Sequence, residues 1–412
     1  MIECNRYTLP NGLRIIHNYD GATAMVALNV MYDVGARDES SELTGMAHLF
    51  EHLMFGGSVN VPDFDGAIEN AGGMNNAWTS NDYTNFYDVV PAQNVETAFW
   101  VESDRMLELA FSDKALEVQR NVVIEEFKQM CLNKPYGDMG HHLRKMMYKK
   151  HPYRYPVIGK EISHIEKVTQ DNVRQFFYSH YAPNNAVLSV SGHITFEETC
   201  RLAEKWFGDI PSRNIAQRNY QPEPEQNEER FCEVEGNVPQ IAIVKAFKMP
   251  DYKSKDYIVC DIITDLLASG RSSRFYRNLL MNTRLFTEID ASISGSDEPG
   301  FLMFNSKLAQ DSPSAVDEAM NCMMKEAQRL IDGDVSDYEL TRTINRFESN
   351  VTFSSIGFVA KAQSLANHEM HSEDINGIVG RYRSVTTSDI ARVSQEIFNP
   401  MRCSTLIYKP KK

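Results

Sequence analysis

Short apolar runs and longer amphipathic stretches take turns along this chain. Ile15-Ile16, Val26 to Val30, Val187 to Val190 and Ile241 to Val244 read as strands between longer patterns of helical period. That alternation predicts an α+β fold built from αβ sandwich domains. The stretch from Leu43 to Phe55 reads as a helix in which Met46, Ala47, Leu49, Phe50, Leu53, Met54 and Phe55 surround three titratable groups. A second helix, Ala115 to Met130, carries Leu116, Val122, Val123 and Phe127 among its apolar positions.

A faint repeat overlies this pattern. His48, His52 and Gly57 recur as Asp261, Asp265 and Gly270, each 213 positions later, with Leu53 and Met54 matched by Leu266 and Leu267. Two homologous halves are expected, 1–220 and 231–412, joined by a polar linker at 221–230 that contains Pro and Glu. Thr264 stands where the first copy has Glu51, and no third ligand is apparent beside Asp261 and Asp265. The second copy therefore reads as degenerate.

The three titratable groups carry the chemistry. His48-Leu49-Phe50-Glu51-His52 is an H-x-x-E-H pattern, the reverse of the commoner H-E-x-x-H zinc motif. On a helix, residues i and i+4 lie one above the other and i+3 shares their face. His48 and His52 can then reach one ion, with Glu51 beside the open coordination position where a general base is needed. A polar cluster in so apolar a helix needs a compensating partner, and a metal ion supplies one. A catalytic zinc takes three protein ligands. The helix from Ala115 to Met130 offers Glu125 and Glu126 as the third.

In these features the chain resembles the pitrilysin/insulinase family of zinc peptidases, the inverzincins. Val123-Ile124-Glu125-Glu126-Phe127 matches the family's V-x-E-E-hydrophobic segment, which implies Glu126 as the third ligand, 74 residues after His52, with Glu125 as its neighbour. Many members carry a further glutamate seven residues earlier, where this chain has Gln119. Leu9-Pro10-Asn11-Gly12-Leu13, His151-Pro152-Tyr153 and Tyr181-Ala182-Pro183-Asn184-Asn185 resemble other family segments in the same order. Gly72-Gly73 with Asn76, Ala77 and Thr79 resembles the edge strand on which the family lays an extended substrate.

The resemblance implies one zinc ion per chain, a peptide substrate, and a fold forming half of a clam-shell chamber. It also marks an absence. Active members supply an Arg and a Tyr seven residues apart from the second half; here those positions hold Leu280 and Thr287. Neither can offer the charged or phenolic donor that stabilises an oxyanion. The missing pair is therefore expected from another chain: a homodimer, though possible, would have zinc in both halves and the pair in neither, whereas a heterodimer with a homologous subunit that carries the pair and lacks zinc ligands would be complete.

Composition narrows the rest. A net charge of −14 argues against nucleic acid as a partner. There is no run of 18 apolar residues to span a membrane. Seven scattered cysteines without C-x-x-C spacing argue for reduced thiols and against cysteine-bound zinc. No basic and apolar leader pattern follows Met1, so a cytoplasmic location is expected, or a periplasmic one if a leader has been removed. Two rival readings remain. A non-catalytic scaffold subunit would ordinarily have lost the zinc residues, and a peptide-binding protein with structural zinc would need a fourth ligand.

Overall fold

The computed structural model describes residues 2–411. They form two compact units, and these do not follow the linear halves. One comprises Met1–Phe127, Tyr155–Tyr220 and Val351–Ile378; the other comprises Lys128–Arg154, Gln221–Asn350 and Val379–Lys412.

The first unit is built on six strands: β1 (Asn5–Thr8), β2 (Arg14–Tyr19), β3 (Met25–Tyr32), β4 (Met74–Thr79), β5 (Thr84–Pro91) and β6 (Ala186–Gly192). Their order is β1-β2-β6-β3-β5-β4. The β2–β6 pair is parallel and the other pairs are antiparallel. The second unit holds β7 (Arg230–Gly236), β8 (Ala242–Lys248), β9 (Phe286–Ser294), β10 (Phe301–Leu308) and β11 (Cys403–Pro410), in the order β7-β11-β8-β10-β9. Here too one pair, β7–β11, is parallel and the others are antiparallel. The sheets thus share one topology, with β1 added in the first. The helix Met46–Leu53 lies between β3 and β4 in sequence, and the helix Lys255–Ala268 lies between β8 and β9. The sequence repeat is therefore a structural one.

Each sheet is covered on one face by a helix from the other linear half. Every residue of β6 is buried, as a strand enclosed on both faces must be. The helix Phe358–Met370 packs on β2, β3 and β6. Its Leu365 and Ala366 join Ile16, Met31 and Val187, and its Ala362 meets Ala27 and Val89. In the second unit, Leu143, Met146 and Met147 of the helix Met139–Met147 join Val244, Ala246 and Leu406. The division at 221–230 misses this exchange because periodicity reports that a face is apolar, not which face it meets.

Residues 221–230 are pinned to the second unit. The Glu223 carboxylate accepts backbone N–H bonds from Lys149, Lys150 and His151 at 2.7–3.1 Å. Gln226 is buried and donates to the Cys403 carbonyl at 2.8 Å.

Candidate metal centre

The helix Met46–Leu53 is shorter than the apolar pattern from 43 to 55. It starts after Gly45, whose φ of +88° is a left-handed conformation that favours glycine. Beyond Leu53 the chain turns through Gly57 at φ +96°. Its apolar side anchors it: Phe50 is fully buried, 4.6 Å from the Tyr181 ring centroid and 5.5 Å from that of Phe176. The opposite side carries His48, Glu51 and His52. The helix Asp113–Phe127 packs against it, with Leu116, Val123 and Phe127 buried. Its last turn presents Glu126, and it then widens into a π-helical turn, Lys128–Leu132.

Two histidines and one glutamate converge. Ligand atoms of His48, His52 and Glu126 all lie within 4.8 Å of one another. Glu126 Oε2 is 3.6 Å from His48 Nε2 and 3.4 Å from His52 Nε2. Those separations are long for hydrogen bonds. They lie close to the edges of a tetrahedron around zinc, about 3.3–3.5 Å for metal bonds near 2.0–2.1 Å. The two imidazole planes stand at 88° to each other. Among the described residues no fourth His, Cys, Asp or Glu joins the cluster, which leaves a tetrahedral ion one position for a non-protein ligand. The donor set fits zinc in the catalytic pattern of three protein ligands, not the closed structural one.

The electrostatics agree. The His52 imidazole holds Glu126 below the usual carboxylate range, keeping it an anionic donor. Burial lowers the His48 pKa, which favours the neutral imidazole that a metal requires. Burial pushes the Glu51 carboxyl upward, while the Thr79 hydroxyl, donating to Glu51 Oε2 at 2.6 Å, pulls it back.

Thr79 ends β4, the edge strand of its sheet. The β4–β5 turn closes with the Ser80 N–H on the Tyr83 carbonyl, 2.8 Å. In this register Trp78, Asn76 and Met74 pair with β5, so the backbone groups of Thr79, Ala77 and Asn75 face the open edge. Asn76 Oδ1 accepts the Ala77 N–H at 2.8 Å.

Other singled-out residues are not members of this three-residue group. Glu125 is exposed on the flank of its helix, and Gln119 is half-buried two turns before Glu126. In the second unit, Leu280 is half-buried at the end of the π-helical segment Phe275–Leu280. Thr287 is exposed on β9, its hydroxyl donating to Gln240 Oε1 at 3.3 Å and to the Lys307 carbonyl at 3.4 Å. Asp261 accepts the Tyr382 hydroxyl, so this second-copy position is engaged in a structural bond.

One contributor escapes sequence reasoning. Glu39 accepts backbone N–H bonds from Gly45 and Ala47 at the start of the histidine-bearing helix. The available signal was negative: Gly45 at the N-cap has no side chain to satisfy the first turn, so a cap must come from elsewhere.

Comparison with known proteins follows the two halves. Residues 14–161 match the family model described as insulinase (peptidase family M16), and residues 167–347 match that of the peptidase M16 inactive domain. The chain is 27% identical to the zinc protease PqqE of Helicobacter pylori, over 98% of this chain and 92% of that protein. It is 25% identical to the mitochondrial-processing peptidase subunit beta of Saccharomyces cerevisiae, over 87% and 80% respectively. The crystal structure of a protease from Helicobacter pylori superposes with a TM-score of 0.92 at 23% identity, covering 100% of both chains. The periplasmic protease PqqL of Escherichia coli superposes with a TM-score of 0.81 at 18% identity, over 99% of this chain and 48% of that one.

Proposed function

The chain belongs to the insulinase family, peptidase family M16, and from that premise we propose that it is the zinc-bearing subunit of a metalloendopeptidase acting on peptides or small unfolded proteins. The observation that carries this reading is the convergence of His48, His52 and Glu126 with Glu51 held beside them by Thr79. These three residues would hold zinc, which as a Lewis acid polarises a carbonyl and acidifies water.

The remaining steps fall to the chain's own residues. Glu51 takes a proton from the attacking water and returns it to the leaving amine. Its carboxyl is aimed by the Thr79 hydroxyl, which fixes it against the edge strand. An extended substrate adds to β4 through the outward backbone groups of Asn75, Ala77 and Thr79. It displaces the Asn76 side chain from the Ala77 N–H as it docks. The added strand brings a carbonyl alongside the histidine-bearing helix, which packs on β4.

Leu280 and Thr287 favour a partner-dependent enzyme. Leu280 has no polar donor, and the Thr287 hydroxyl already has acceptors. A related subunit would supply the missing Arg/Tyr pair and enclose the substrate. This chain spans about half of PqqL, which is consistent with two such chains doing the work of one longer one.

The test is turnover of a quenched fluorescent peptide by the zinc-loaded chain, alone and mixed with a related chain bearing the pair. Glu51→Gln should bind zinc as the wild type does and lose about 10²- to 10⁴-fold in rate. His48→Ala should lose zinc as well. Full activity of the isolated chain would refute the partner requirement. A Glu51→Gln variant as active as wild type would refute the peptidase mechanism.

A further inference from the structure

The helix that bears His48, Glu51 and His52 begins without a cap of its own. Its N-cap is Gly45, and no side chain within the helix meets its first N–H groups. Glu39, six residues upstream, fills that role: Oε2 accepts the Gly45 N–H and Oε1 the Ala47 N–H, both at 2.8 Å. Both carboxyl oxygens are thus committed to the turn that precedes His48.

The segment that carries Glu39 is anchored at its other end to the β4–β5 hairpin. The Ala36 N–H donates to the Ser80 carbonyl at 3.1 Å and the Arg37 N–H to the Asn81 carbonyl at 2.9 Å. The Arg37 guanidinium, almost wholly buried, pairs with Asp82 at 2.8 Å and Asp33 at 2.9 Å. Gly35 lies so close that a Cβ there would stand 2.5 Å from the Asn81 carbonyl oxygen. Ser80 directly follows Thr79, the residue bonded to Glu51. Residues 35–39 therefore bridge the two elements whose registration sets the Glu51–Thr79 contact.

We propose that Glu39 is a positioning residue for the metal centre: its carboxyl sets the depth and rotation of the histidine-bearing helix against the β4–β5 hairpin, so that His48 and His52 meet Glu126 and Glu51 meets Thr79. The inference rests on the zinc-peptidase reading. It assigns a task to a residue that touches neither metal nor substrate. Rotation of the helix by a fraction of a turn would separate imidazole nitrogens that now lie 3.4 and 3.6 Å from one carboxylate oxygen. Metal sites lose about 10- to 100-fold in affinity when a group that orients the ligands is removed.

The experiment is zinc affinity, measured by competition with a chromophoric chelator, for the wild type, Glu39→Gln, Asp63→Ala and His48→Ala. Glutamine keeps the shape of Glu39 but turns one of its two acceptors into a donor. Asp63 is the control: it caps the neighbouring helix Phe64–Asn70, accepting the Gly66 N–H at 3.0 Å, and that helix carries no ligand. Glu39→Gln should weaken zinc binding about 10- to 100-fold, while Asp63→Ala stays within about twofold of wild type. Equal affinities for Glu39→Gln and wild type would overturn the proposal, as would an equal loss in both cap variants. A second readout uses the unmutated chain: zinc loading should slow amide exchange over Gly45–Ala47 and leave Gly66 unchanged. Unaltered exchange at Gly45–Ala47 in a chain that binds zinc would also overturn it. A wild type that binds zinc no better than His48→Ala would refute the metal reading itself and this inference with it.

Discussion

The Thr79 hydroxyl donates a 2.6 Å hydrogen bond to the Glu51 carboxyl. The bond joins the H-x-x-E-H helix to the edge strand of the sheet, so the proposed base and the proposed substrate platform move together. Burial raises the Glu51 pKa and this bond lowers it. Thr79→Val keeps the shape and removes the donor. Glu51 would then titrate at a higher pH, and because the base must be ionised to work, the acid limb of the pH–rate profile should shift upward. Hydrogen bonds to charged groups are worth about 1.5–3 kcal/mol, so the rate should fall roughly 10- to 100-fold. An unmoved acid limb would separate Thr79 from the chemistry.

The open edge of β4 gives a backbone test. The Ala77 N–H faces away from β5, so proline at this position removes no rung of the ladder, the setting in which a strand accepts proline. Ala77→Pro should retain the wild-type melting temperature and zinc content yet lose peptide turnover by at least about tenfold, the equivalent of one substrate hydrogen bond. Unchanged turnover would move substrate away from this edge.

The exchange of covering helices predicts where stability resides. Leu365 is fully buried against Ile16, Met31 and Val187. Leu365→Ala should destabilise the β1–β6 sheet by about 2–5 kcal/mol, as buried leucines do. Thermal unfolding followed by amide exchange should show faster opening of β2, β3 and β6 than of β8, β10 and β11. A uniform change across both sheets would contradict the assignment of this helix to the first unit.

Glu39 supplies a pH signature of folding. Burial pushes its carboxyl from a usual value near 4.5 up to about 8, against the pull of the Ala47 and Gly45 N–H bonds and with help from the neighbouring Asp38 charge. The folded state thus binds a proton that the unfolded state releases between pH 4.5 and about 8. Stability from this group is complete below that window and is lost as pH rises through it. Glu39→Gln should gain stability relative to wild type as pH rises from 4.5 to 8, measured by denaturant unfolding at several pH values. Parallel stability curves would place the Glu39 pKa in the ordinary carboxylate range.

Much of the fold is legible in the sequence. The strand runs at Ile15, Val26, Val187 and Ile241 fall in or at the start of β2, β3, β6 and β8. The repeat linking His48 to Asp261 reflects two sheets of one topology. The boundary at 221–230 did not capture the compact units, because residues 128–154 and 351–378 find their apolar partners far away in sequence.

By itself the sequence determined the local chemistry. Helical period dictates that residues 48, 51 and 52 share a face, and the apolar residues around them dictate that this face lies at the border of a core. It also supplied two adjacent glutamates as candidate ligands without distinguishing them by spacing alone. The tertiary structure decided which one approaches: Val123 and Phe127 bury their side of the helix, and that phase turns Glu126 toward the histidines and Glu125 toward solvent. It also decided what no local pattern encodes: the Thr79 bond to Glu51, the Glu39 cap and the covering helix from residues 358–370. Periodicity is a property of a few consecutive residues, whereas these contacts are made between segments that only the folded chain brings together.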